Sequence, residues 1–134
     1  MSRFWIALAL SLAAAPAMAQ SSNVQKCVSE DPDTAIAGCT AMIQAGGLDT
    51  AHMAGVSVIR GNAYSDKERY DEAVADYSKA ISLKPDAVAY GDRGLVYLKQ
   101  GKKDLALADF HTALKLDPTD QTSLDGLKRL GVSH

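Results

Sequence analysis

Residues 87–118 read AVAYGDRGLVYLKQGKKDLALADFHTALKLDP and hold two amphipathic helical patterns broken once, at Gly101. The stretch before it, from about Ala54 to Pro85, carries the same pattern in the same order. Arg60-Gly61 corresponds to Arg93-Gly94, Tyr64 to Tyr97, Ala73 to Ala106, Tyr77 to Phe110, Ala80 to Ala113 and Pro85 to Pro118, always 33 positions apart. Each residue type has a packing reason. A small residue early in each helix lets two antiparallel helices approach, and an aromatic between them fills the remaining space. The proline stops the second helix. A period of this length marks stacked helical hairpins.

These residues resemble the tetratricopeptide repeat, with Tyr90, Gly94, Tyr97, Ala106, Phe110, Ala113 and Pro118 in its order. Ser57 stands where Tyr90 sits one repeat later, and Glu68 stands at the Gly101 turn, so the earlier repeat departs there. The resemblance implies an all-α solenoid, a right-handed superhelix of antiparallel helix hairpins. Its parts are a degenerate N-terminal half repeat over about 30–48, repeats over 54–86 and 87–119, and a capping helix over 120–130.

Outward from this core, Asp33 to Ala45 is helical by spacing. Ala35, Cys39, Met42 and Ile43 recur at the interval of Ala73, Tyr77, Ala80 and Ile81, so Cys39 takes the place of an aromatic. Asp33 or Thr34 is the expected cap, with a short helix from Val24 to Ser29 before it. Gly46-Gly47 ends the segment. Helices follow over about 50–65, 69–83, 87–100 and 103–116. Asp71, Glu72, Asp76 and Lys79 are expected to form a solvated charged face. From Thr119 to Leu130, capped by Thr119 or Asp120, Leu124, Leu127 and Leu130 make one apolar stripe suited to covering the open end of a solenoid.

The chain opens MSRFWIALALSLAAAPAMAQ: one Arg, an apolar run from Phe4 to Ala15, then Ala17-Met18-Ala19. That is the form of a secretory signal peptide over 1–19, leaving a single domain over 20–134. The run falls short of the roughly 20 residues that span a bilayer. No stable membrane anchor is therefore expected after cleavage. Removing Arg3 leaves 13 of the 14 basic residues against 16 acids, a net charge of −3. Interspersed charges of this kind disfavour nucleic acid, whose binding needs a basic patch.

Cys27 and Cys39 are the only cysteines. Export makes a structural disulfide the expectation, a bridge that would hold the first helix pair together where no aromatic does. Free buried thiols are the alternative. The long gap between them and the lack of a nearby histidine speak against a redox pair or a thiolate metal site.

No catalytic constellation emerges. Gly94 to Lys102 has the wrong spacing for a phosphate loop. Gly55 to Ile59 begins like a nucleophile elbow, but no strand precedes it. His52, His111 and His134 are far apart and unpaired in sequence, and His111 should be wet. We therefore expect no enzyme activity, no metal and no cofactor.

The resemblance does imply a binding face. Its ligand-contacting positions fall at Val58, Asn62, Ser65 and Asp66, then at Gly91, Leu95, Leu98 and Lys99. In family members that grip a peptide's terminal carboxylate, Lys, Arg and Asn converge there. Here Asn62 matches, but Val58 stands where a Lys would be and Asp92 where an Asn or Arg would be. A protein or an apolar peptide, extended or helical, fits the mixed surface better. The alternative is that Leu95 and Leu98 pack on a neighbouring copy in a homodimer, or on the N-terminal helices. A small exported protein of this pattern resembles those of Gram-negative bacteria, which implies the periplasm.

Overall fold

The computed structural model describes residues 14–133; most of the expected signal peptide lies outside them. Among the described residues there are seven helices and no strand. They are α1 (Ala14–Cys27), α2 (Pro32–Ala45), α3 (Thr50–Asp66), α4 (Tyr70–Leu83), α5 (Ala87–Lys99), α6 (Lys103–Leu116) and α7 (Gln121–Arg129). Each helix packs against the next. The odd-numbered helices also touch in succession, α1 to α3, α3 to α5 and α5 to α7, whereas α2, α4 and α6 do not touch one another. The stack therefore bends, with the odd helices on its inner side.

The two full hairpins are built alike. Tyr77 and Phe110 are 2% and 0% exposed. Each lies against the glycine expected to admit it. A Cβ on Gly61 would come within 2.9 Å of Tyr77 Cε1, and one on Gly94 within 2.7 Å of Phe110 Cε1. Any larger side chain there would force the helices apart. Phe110 also meets Gly126 of α7, while Leu127 is fully buried beside it with Leu124 and Leu130 partly covered. The apolar stripe thus caps the C-terminal end as its spacing predicts. His111 is exposed.

The hairpin turns are superposable in hydrogen bonding. Glu68 N and Arg69 N donate to Ser65 O and Tyr64 O, at 3.0 and 2.8 Å; Gly101 N and Lys102 N donate to Leu98 O and Tyr97 O at the same distances. The turn needs a left-handed residue, and Glu68 supplies it at φ 58° where Gly101 sits at φ 75°. The sequence departure at Glu68 changes the energy of the turn and leaves its shape intact.

Three details differ from the sequence reading. The first helix is 14 residues long and not a short segment after Val24. The cap of α2 is Asp31, whose carboxylate accepts from Thr34 N at 2.8 Å, because Pro32 takes the first helical position and needs no donor. Asp76 does not belong to the wet face: it is 6% exposed, turned inward by Arg60 of α3.

Candidate functional site: the concave groove

The groove rests on a repeated clamp. Arg60 Nε and Nη2 donate to Asp76 at 2.7 and 2.8 Å, and Arg60 Nη1 donates to Thr40 Oγ1 of α2 at 3.0 Å. One repeat later Arg93 donates to Asp109 at 2.8 Å through both nitrogens and to Ser78 Oγ of α4 at 2.9 Å. Each arginine thus binds a carboxylate of its own hairpin in fork geometry and a hydroxyl of the previous one. The clamp ties each inner helix to the outer helices on either side of it. In the first hairpin Gly38 occupies the position of Asp76, and a Cβ there would come within 2.4 Å of Cys27 N. A Cys27–Cys39 disulfide, with Cα atoms 4.5 Å apart, joins α1 to α2 instead.

On the inner face, Asn62, Ser65, Asp66, Leu95 and Lys99 line one open cleft of about 360 Å³, together with Tyr77 and Asp92. A second cleft of about 230 Å³ shares Asn62 and Asp66 with it and extends to Cys27, Ser29 and Glu30 at the α1–α2 turn. The two adjoin at Asn62 and Asp66 of α3, the second lying toward the α1–α2 turn. The remaining expected contact positions lie elsewhere. Val58 borders a different cleft, with Ala54, Gly55, Val88 and Ala89. Gly91 is buried under α7, where a Cβ would meet Asp120 Oδ2 at 2.9 Å. Leu98 packs on the cluster of Ala106, Phe110 and Leu127, and Leu95 reaches the same cluster from the groove wall. That packing is toward the C-terminal cap, opposite to the N-terminal helices considered from sequence.

Tyr77 and Asp92 line the same cleft, Asp92 at a position that the resemblance gives to carboxylate-gripping residues. Tyr77 was assigned to the core alone, yet its hydroxyl emerges beside the groove and donates to Asn62 Oδ1 at 2.6 Å. Burial first, then the carboxylates of Asp92, Asp66 and Asp76, push its phenol pKa above the ordinary value. Asp92 precedes Leu95 and Lys99 by three and seven positions on α5, a spacing that places it on their face. Burial, then Asp120 and Asp86, push the Asp92 carboxyl up to about 6. Among the described residues no group of three or more His, Cys, Asp or Glu could hold a metal ion, and no helix is long and apolar enough to cross a membrane.

Residues 61–101 match the family model described as TPR repeat, and residues 87–120 match the one described as Tetratricopeptide repeat. Over residues 61–120 the chain is similar to tetratricopeptide repeats. Its curated relatives include Hsp70-Hsp90 organizing protein 3 of Arabidopsis thaliana, 38% identical over 61 residues, which are 45% of this chain and 11% of that protein. Serine/threonine-protein phosphatase 5 of Homo sapiens is 39% identical over 59 residues, 43% of this chain and 12% of that protein. The chain spans about a tenth of the length of these relatives. Among solved structures, the second TPR domain of human RPAP3 in complex with the HSP70 peptide SGPTIEEVD aligns with a TM-score of 0.73 at 27% identity, covering 88% of this chain and 99% of that one. The Arabidopsis OM64 TPR domain, at TM-score 0.74, 24% identity and coverage of 88% and 95%, shares the fold.

Proposed function

We propose that this tetratricopeptide-repeat chain is an exported, periplasmic interaction module that holds a segment of another protein in its concave groove. The observation that carries this reading is the open cleft between α3 and α5, adjoined at Asn62 and Asp66 by a second cleft at the α1–α2 turn. A solved relative with the same fold is in complex with a peptide, which supports peptide binding by this fold. Helix-lined grooves recognise extended or helical segments through side-chain pockets. Export is supported by the leader pattern. Ala17 to Gln20, around the expected cleavage point, are exposed, with Met18 at 73%, so the cut falls outside the core.

A photo-crosslinking residue placed at Ser65, inside the groove, and at Lys79, exposed on α4, tests the binding reading in intact cells. Capture of a partner from position 65 and not from 79 is the expected result; capture from 79 alone overturns it. N-terminal sequencing of the mature chain tests export. A start at Gln20 is expected, and a chain beginning at Met1 in the cytoplasmic fraction overturns it.

A further inference from the structure

We propose that the groove selects a peptide bearing a lysine or arginine, whose cationic head lies between Asp66 and Asp92. This rests on the peptide-binding reading above and adds the chemistry of the ligand.

Along the groove the charged residues are Glu30, Asp66 and Asp92 against the single cation Lys99. Lys99 does not neutralise them. Its Nζ lies 3.4 Å from Ser65 Oγ and 5.7 Å from the centre of the Tyr70 ring, and it forms no ion pair. Among the described residues neither Asp66 nor Asp92 enters a salt bridge, whereas Asp33, Glu72, Asp76 and Asp109 all do. The two carboxylates that line this cleft are thus left with unfilled acceptor capacity. Asp92 is the extreme case. It is half-buried, close to Asp120 and Asp86, with no cation opposite. A guest cation would replace lost hydration and relieve like-charge repulsion at once. Leu95 offers an apolar wall for the aliphatic stem of a long basic side chain. Tyr77 already occupies Asn62 Oδ1, which leaves the Asn62 amide to donate to a peptide carbonyl. The same carboxylates repel a ligand such as SGPTIEEVD, whose end carries three acids.

The test pans the oxidised full chain against a synthetic library of randomised nonapeptides, made with both free and amidated carboxyl ends. Lys or Arg at one position should be enriched about tenfold over Glu or Asp, the size of one partly desolvated charge contact. The Asp66→Asn, Asp92→Asn double variant, checked for unchanged helicity, should lose that enrichment and still retain peptides. Enrichment of acidic or free-carboxyl peptides, or basic enrichment that survives in the double variant, overturns cation selection and leaves the groove reading standing. Retention of no peptide overturns both. Concentration-dependent dimerisation abolished by the double variant would assign the groove to a second copy of this chain and likewise overturn the proposal.

Discussion

Tyr77 Oη donates to Asn62 Oδ1 at 2.6 Å, so the residue that fills the second hairpin also holds a side chain of the groove. Core and binding surface are linked through one phenol. Tyr77→Phe keeps the ring against Gly61 and deletes the bond. It should cost about 1 kcal/mol in urea denaturation. Tyr77→Ala opens a cavity at the hairpin centre and should cost about 3–5 kcal/mol. If the Phe variant proved as damaging as the Ala variant, the hydroxyl and not the ring would be the structural element.

The two arginine clamps should be strongly cooperative with their carboxylates. Asp76 and Asp109 have side chains 8% and 7% exposed, so removing Arg60 or Arg93 leaves a nearly dry carboxylate alone. Arg93→Ala should cost about 3 kcal/mol, and Arg93→Ala with Asp109→Ala should cost less than the sum of the single changes. A double-mutant cycle by thermal or urea unfolding measures this. An additive result would mean that each residue acts through packing alone.

Glu68 shows where sequence reading reached and where it stopped. The 33-residue echo located α3 to α6 closely, because the glycine–aromatic contacts it encodes are local to each hairpin. The same echo broke at Glu68, yet the chain turns there as it does at Gly101: hydrogen bonds to Tyr64 and Ser65 override an unfavourable residue. Glu68→Gly should therefore stabilise by about 1 kcal/mol without changing the fold, read as a higher denaturant midpoint at unchanged slope. The groove was less legible. Asn62, Ser65, Asp66, Leu95 and Lys99 share one cleft, but the state of Asp92 depends on Asp120, the cap of α7, 28 positions further along the chain. Asp76 was misplaced for a similar reason: its partner Arg60 lies on another helix, and helical periodicity alone cannot report a pairing across a hairpin.

The first hairpin should depend on its disulfide. It has neither the buried aromatic nor the arginine–aspartate clamp of the later two; Cys27 and Cys39 form a small buried cluster with Val56 of α3. Cys27 and Cys39 are 12 positions apart, and closing a loop of that size stabilises by about 3 kcal/mol in the chain-entropy description. Reduction should lower the unfolding midpoint and raise hydrogen exchange first in α1 and α2, with α3 to α7 protected. A uniform loss of protection along the chain would show that the stack unfolds as one unit and that the bridge acts on all of it.

Asp92 predicts an inverted pH response in a protein rich in acids. Burial raises its folded-state pKa from 3.8 to about 6, so between those values the folded chain binds the proton more readily than the unfolded chain does. Protonated Asp92 therefore favours folding. That contribution is full below about pH 4 and is lost as the pH rises through about 6. Asp120 and Asp86 oppose ionisation, and Tyr77, Asp66 and Lys99 share its cleft. Asp92→Asn mimics the neutral form and removes the penalty. At pH 7 it should stabilise by about 1–2 kcal/mol, a figure reduced from the full linkage value because the side chain is still partly solvated. At pH 4 the variant and the natural chain should unfold at nearly the same urea concentration. Denaturation midpoints of the two chains from pH 4 to 8 measure the difference. A gap that stayed constant with pH would mean that the substitution acts by packing; a natural chain stabilised relative to the variant as the pH rose would mean that a cation already neutralises Asp92 in the free protein.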